Sequence, residues 1–312
     1  MKTVRSYTIS TGVSPHPLIE ILEKRWNRFR KELKKAQKSY SERSVHDVRV
    51  ASRRLLSALD VIESWTQVKK IKTARKELKQ ILKTFSSVRD AHVQQIVLRD
   101  LARSTPAVRR LIDHLQTQEK KRIRRSVKRI RSLKPTATRK LMKGIRQWSG
   151  LIAFAGAANL NGNLAALARR SLAAQFIKVG ALCRAVNRRD VQTLHQMRIA
   201  FKKYRYTAEF LRPFLPRGAD QLLKRMHDYQ TVLGDIHDLE VLIATTREFA
   251  GKLRRSAPKT VRLGSTLRLL SQRKRELVSD AIRRKDEIHQ LWPFEKPASP
   301  AETVQPLPKE VQ

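Results

Sequence analysis

The sequence predicts an all-α protein, and three observations carry that prediction. Glycine is scarce, with 10 in 312 residues. Apolar residues recur three and four positions apart almost throughout, the spacing of one face of a helix. No apolar/polar alternation lasts long enough to make a strand of a sheet. The chain is 40% hydrophobic, enough to bury a core, and its length suits one large domain or two smaller ones packed together.

Start and stop signals divide the chain into about ten helices. The first follows Ser14-Pro15-His16-Pro17 and runs to about Lys38. Five more are expected over 44–67, 69–85, 88–104, 106–133 and 136–149. A Gly/Asn-containing stretch at 156–162 breaks the pattern. Helices resume over 163–186, 190–211, 219–233, 236–254 and 258–290. The last stretch carries prolines at 293, 297, 300, 306 and 308 and reads as disordered. The resulting organisation is an N-terminal arm at 1–14, a helical domain at 15–290 and a Pro-rich tail at 291–312. The domain splits into halves of about 15–150 and 163–290.

Charge narrows the partner. There are 68 Lys and Arg against 27 Asp and Glu, a net +41. A folded chain with that excess repels itself, so an anionic partner is expected: nucleic acid, an anionic membrane surface or a phosphate polymer. Ordinary solubility asks for a net charge of only about 2–8 in a small domain. The single cysteine, Cys183, excludes an internal disulfide and any zinc site with several thiolate ligands, and it sits among apolar residues as a small hydrophobe. The N-terminal segment lacks the apolar stretch of a signal peptide, and no uncharged run is long enough to cross a bilayer. A cytoplasmic location is expected.

The most informative feature is an internal repeat. His46-Asp47-Val48-Arg49-Val50-Ala51-Ser52-Arg53-Arg54 recurs 149 residues later as His195-Gln196-Met197-Arg198-Ile199-Ala200-Phe201-Lys202-Lys203. Downstream, Ser87-Val88-Arg89-Asp90 corresponds to Asp235-Ile236-His237-Asp238. On a helix, His46, Arg49 and Arg53 fall within a narrow arc, as do His195, Arg198, Lys202 and Arg205, opposite an apolar face. Solvated helix faces need no fixed residue identities, so two copies in the same order point to a binding stripe. Arginine offers a planar fork for phosphate oxygens, lysine a movable point charge, and histidine a cation once an anion raises its pKa. A linear stripe suits a linear polymer with one charge per unit. A single phosphate more often uses a Gly-rich loop at a helix N-terminus, and neither GxGxxG nor GxxxxGK[ST] is present. Lys72, Lys76, Lys79 and Lys83 form a further basic line, with Arg89 and Lys224 as additional secondary positions.

These motifs resemble the CHAD family, the conserved histidine α-helical domain. The resemblance rests on His46-x-x-Arg49-x-x-x-Arg53-Arg54-Leu55, on His195-x-x-Arg198-x-x-x-Lys202-Lys203-x-Arg205-Tyr206-x-x-Glu209, and on Val88-Arg89-Asp90 and Leu233-Gly234-Asp235-Ile236-His237-Asp238. It covers roughly residues 15–290. It implies two helical bundles related by a pseudo-twofold axis, enclosing a basic central cavity or channel. It also implies binding of inorganic polyphosphate and association with polyphosphate granules. Mapped residue by residue, the binding positions are His46, Arg49, Arg53, Arg54, His195, Arg198, Lys202, Lys203 and Arg205. Leu56 stands where the second motif has Arg205, so the first stripe is one cation short and the halves are expected to bind unequally. The N-terminal triphosphate tunnel domain of some relatives is expected to be absent, and with it the obvious source of phosphatase activity.

Two other classes compete. An enzyme could use His46 and His195 as bases, but Asp47 points about 100° away from His46 on the helix, and the stripes hold no carboxylates for Mg²⁺. Asp90, Asp235 and Asp238 lie outside the stripes and are read as helix caps or as groups that orient arginines. His92 and His227 are read as structural. No catalytic residue, metal or cofactor is expected. A nucleic-acid-binding module fits the charge, but no recognised motif appears and only Tyr206 is interleaved with the basic stripes as a stacking platform. A peripheral membrane role lacks an exposed aromatic face to join the basic one.

Overall fold

The structure is a computed structural model that describes residues 17–66, 68–101, 106–154, 157–186, 191–256 and 263–294. Over these residues it is all-α, without a strand. The described helices are α1 (Pro17–Lys38), α2 (Glu42–Thr66), α3 (Lys69–Leu101), α4 (Pro106–Arg131), α5 (Thr136–Phe154), α6 (Ala157–Ala185), α7 (Val191–Phe210), α8 (Ala219–Ser256) and α9 (Gly264–Arg283). Short 3-10 segments follow α7 (Arg212–Phe214) and α9 (Lys285–Leu291). The expected N-terminal arm and tail residues 295–312 lie outside the described residues.

Local chemistry explains the helix starts. Ser41 Oγ accepts from the Ser44 N–H at 3.3 Å and so caps α2. The first amides of α5 are satisfied from outside: Ala137 and Thr138 donate to the Glu77 carboxylate of α3 at 3.0 and 2.9 Å. Ahead of α8 the chain turns at Gly218, whose φ of +86° is the left-handed region that glycine adopts freely.

Two of the expected breaks are not breaks. α3 runs through Ser86 and Ser87, and α8 runs through Gly234. An interior glycine costs a helix up to about 1 kcal/mol, which packing along so long a helix offsets. Neither helix keeps one apolar face, because each serves two cores. Leu78, Phe85 and Val88 of α3, and Met226, Leu233 and Ile236 of α8, enter the main core. Farther along, Leu98, Leu239, Leu242 and Ile243 join a second core with the start of α4 and with α9. The change of face in mid-helix is what made each run read as two helices. The Gly/Asn stretch is likewise helical from Ala157 onward.

α2 packs on α3 and on α7, α7 packs on α8, and α3 packs on α8. The motif-bearing helices of the two halves therefore touch directly. Their contact includes Ser57 Oγ and Thr207 Oγ1, both buried and 3.3 Å apart. Behind them Gln94 of α3 donates to Thr245 Oγ1 of α8 at 3.0 Å. The main core is continuous across both halves. The chain's described end closes on α6: Trp292 lies 5.1 Å from Phe176, and the Arg169 guanidinium sits 5.2 Å over Phe294. Tyr204, fully buried, donates its hydroxyl to Leu291 O at 2.6 Å. Cys183 is buried and free, and burial raises its thiol pKa.

Candidate functional site

Where α2 and α7 meet, their cations face one another. Arg49 of α2 is only 9% exposed. Its Nη1 donates to Leu82 O at 3.1 Å and to Ser86 Oγ at 2.8 Å, so α3 holds it from behind. Burial pulls its pKa down to about 10, with repulsion from Arg53, Arg89 and Arg198 added and Asp90 opposing. Arg198 of α7 is half-buried, and its Nε is fully buried with no hydrogen-bond partner among the described residues. Burial also lowers its pKa, and Arg53 reinforces the shift against Asp238 and Asp90.

Lys202 shows the strain of this crowding most clearly. Burial pulls its ammonium down to about 7, helped by repulsion from Arg198, Arg53 and Arg49, which outweighs the attraction of Asp238. The histidines flank the same centre. His195 and His237 lie 5.0 Å apart between ring centroids. Burial, then repulsion from Arg198, His195 and Lys202, holds His237 down at about 4, and its Nδ1 is buried with no hydrogen-bond partner among the described residues. His46 is lowered by burial and then by Arg89. Asp238 is raised by burial although Arg198, Arg89 and Lys202 pull it back. The site is thus a cluster of cations, partly desolvated, in which the buried Arg198 Nε finds no acceptor among the described residues.

Around the same two helices lies a different arrangement. Arg54 and Arg205 bracket one carboxylate: Arg54 Nε is 2.9 Å and Arg205 Nη1 2.6 Å from Glu209. Arg205 also donates to Gln230 Oε1 at 2.8 Å and stacks 4.5 Å over the Tyr206 ring. Arg25 of α1 donates to Arg54 O at 2.6 Å and lies 5.2 Å over Phe210. Here the cations are paired, and the network ties α1, α2, α7 and α8 together. Among the described residues, no three His, Cys, Asp or Glu groups are placed to hold a metal ion.

The CHAD domain model matches residues 20–247, well over half the chain. The chain belongs to the CHAD family. The CHAD domain from the plant Ricinus communis shares its fold, with a TM-score of 0.62 at 19% identity over 89% of this chain and 92% of that one. PptA from Streptomyces chartreusis aligns at a TM-score of 0.45 and 17% identity, over 89% of this chain and 98% of that one. No curated protein matches the chain.

Within this CHAD protein the expected site residues fall into three groups. His46, Arg49, Arg53, His195, Arg198 and Lys202 come together at the α2/α7 meeting point. Arg54 and Arg205 belong to the Glu209 network, and Lys203 is exposed on the outer side of α7. Lys72, Lys76, Lys79 and Lys83 on α3 and Lys224 on α8 are exposed at the surface, while Arg89 reaches Glu42 at 3.2 Å. The expectation that the stripe lies opposite the core needs correction at Arg49 and Arg205, which are buried because α3 and α8 cover that side of the motif helices. The fourth-cation asymmetry also falls elsewhere. Leu56 packs against the main core, and Arg205 turns to Glu209. Around the cluster the halves differ instead at Arg53 against Lys202 and at Arg89 against His237.

Asp90, His237 and Asp238 were not assigned to the site from sequence. Each sits in the middle of a long helix, so the acids cap nothing; they face the cations. The signal for them was present in the second repeat segment, where Arg89-Asp90 matches His237-Asp238. His92 is buried and paired, its Nε2 2.8 Å from Glu119, and His227 is exposed.

Proposed function

We propose that this CHAD protein binds inorganic polyphosphate along the α2/α7 cation cluster, without hydrolysing it, and that it associates with polyphosphate granules in the cytoplasm. The observation that carries the reading is the convergence of Arg49, Arg53, Arg198 and Lys202 from both repeats. Burial, together with their mutual repulsion, brings Lys202 to about 7, and Arg198 Nε is buried with no hydrogen-bond partner among the described residues. A phosphate chain answers each of these costs. Its charges offset the repulsion, and its oxygens accept from the arginine forks. From His46 to Arg53 the line extends over roughly 10 Å of helix axis, which suits an extended polymer better than a single phosphate. The net charge of +41 would steer any polyanion toward this surface.

The test is a titration with long-chain polyphosphate, with duplex DNA, ATP and orthophosphate as competitors at equal phosphate concentration. Long chains should displace DNA, and affinity should fall steeply as salt rises. ATP and orthophosphate should compete poorly at this cluster. If DNA holds its place against polyphosphate, the nucleic-acid reading is the correct one. The binding-only reading is tested separately: sustained metal-dependent phosphate release by pure protein, lost in His195→Ala, would refute it.

A further inference from the structure

On another side of the molecule, α1, the α4–α5 turn and α5 form an open depression of about 480 Å³. Six cations line it: Arg30 and Lys34 from α1, Arg131 from the end of α4, Lys134 from the turn that follows, and Arg139 and Lys143 from α5. None of its lining residues is acidic. The six make no ion pair among the described residues; Arg131 donates to the Tyr40 hydroxyl at 3.2 Å, and Arg30 lies 5.8 Å from the Trp26 ring. Arg30/Lys34 and Arg139/Lys143 are like-charge pairs at i, i+4, a spacing that weakens a helix. Three segments thus bring repelling charges to one hollow with no carboxylate to relieve them.

The hollow is braced in advance. The Gln37 side-chain amide reaches the carbonyls of Ile130, Arg131 and Leu133 at 3.1, 3.3 and 2.9 Å, fixing the turn to α1. Glu77 fixes the other side by capping α5 from α3, so the helix N-terminus is already satisfied and any anion must be held by side chains. Trp26, Leu33 and Met142, all buried, make an apolar floor. A floor of this kind keeps water from one side of the ligand and strengthens the cations on the rim.

We infer that this depression is a second anion site, separate from the α2/α7 cluster, for a compact ligand carrying several phosphoryl groups. Six cations call for a multiply charged ligand, and the volume falls within the roughly 300–1,000 Å³ of small-molecule sites. No residue of the central cluster contributes to it, so the two sites can fail independently.

The test is calorimetric titration of the full chain with tripolyphosphate at physiological salt. It compares wild type, Lys34→Ala/Arg139→Ala, Arg53→Ala/Arg198→Ala and a charge control on α9, Arg268→Ala/Arg275→Ala. Lys34 and Arg139 are exposed, so their loss should leave the helical circular dichroism signal intact. The Lys34/Arg139 variant should lose one class of site, with affinity falling about tenfold or more. The central variant should keep that class while losing long-chain polyphosphate binding. An unchanged isotherm in the Lys34/Arg139 variant overturns the proposal, as does an equal loss in the α9 control, which would mean diffuse charge. A parallel titration with ATP separates the sources of the ligand: tighter binding of ATP than of tripolyphosphate at the class of site lost in the Lys34/Arg139 variant assigns a nucleotide, and the reverse assigns a bare phosphate chain.

Discussion

Arg53 and Arg54 are neighbours on α2, yet they meet opposite environments. Arg53 faces Arg49, Arg198 and Lys202, while Arg54 faces Glu209, which it shares with Arg205. In the first region cations outnumber carboxylates, Asp90 and Asp238 being too few; burial and this imbalance hold Lys202 at about 7, and Arg198 Nε has no hydrogen-bond partner among the described residues. In the second, one carboxylate, a glutamine and two aromatic faces satisfy the guanidinium groups. A count of basic residues on the helices cannot separate these roles. What separates them is whether a carboxylate from a packed neighbour reaches the cation.

The strongest way to break this contrast is a pair of double variants. Arg53→Ala/Arg198→Ala should cost long-chain polyphosphate binding about 3–6 kcal/mol, at least a hundredfold, since a hydrogen bond to a charged group contributes about 1.5–3 kcal/mol. Arg54→Ala/Arg205→Ala removes the same charge and should change affinity by no more than about fivefold. Equal losses in the two, measured by equilibrium binding at fixed salt, would erase the distinction.

The second region is tested by stability. Glu209 is 14% exposed and balances three arginines, Arg25, Arg54 and Arg205. Glu209→Ala should therefore destabilise the fold by about 3–5 kcal/mol, the cost of leaving buried charge unpaired. Urea denaturation followed by circular dichroism measures it, and a loss comparable to a surface substitution would show that the network is idle.

A pH titration sharpens the first region. Lys202 is held near 7 in the free protein, and a bound polyanion favours its charged form. Binding then takes up a proton above pH 7. The gain is complete below the free-state pKa and is lost as pH rises through it toward the bound-state value. Affinity should rise about tenfold from pH 8 to pH 6 on this account. Lys202→Arg, which stays protonated throughout, should flatten the dependence; an unchanged slope in that variant would assign it to other groups. His46, lowered by burial, adds to the effect in the same direction, whereas His237, at about 4, lies below this pH window.

The smallest effect concerns the halves. Leu56→Arg restores a cation to the first repeat, but the leucine is partly buried against the core and away from the cluster. Polyphosphate affinity should move by no more than about fivefold, with a loss of stability instead. A large gain in binding would return the asymmetry to position 56.

The sequence by itself determined the helical class, the duplication and the positions of the cations. Periodicity alone specified helices because an amphipathic face is written locally, in residues three and four apart. His46, Arg49 and Arg53 and their counterparts were legible because a repeat at fixed offset survives without any knowledge of packing. Where the pattern misled, a neighbour distant in sequence was the reason. α3 and α8 look broken at Ser86 and Gly234 because their buried face moves from one core to the other in mid-helix. Arg49 looks solvated on a wheel, but α3 covers it. Only the tertiary structure decided that α2 lies against α7, which sets Arg53 beside Arg198 and Lys202, residues about 150 positions away. Only it gave Arg54 and Arg205 one carboxylate to share. Charge interactions depend on distance through space and on the water removed between groups, and a linear chain records neither.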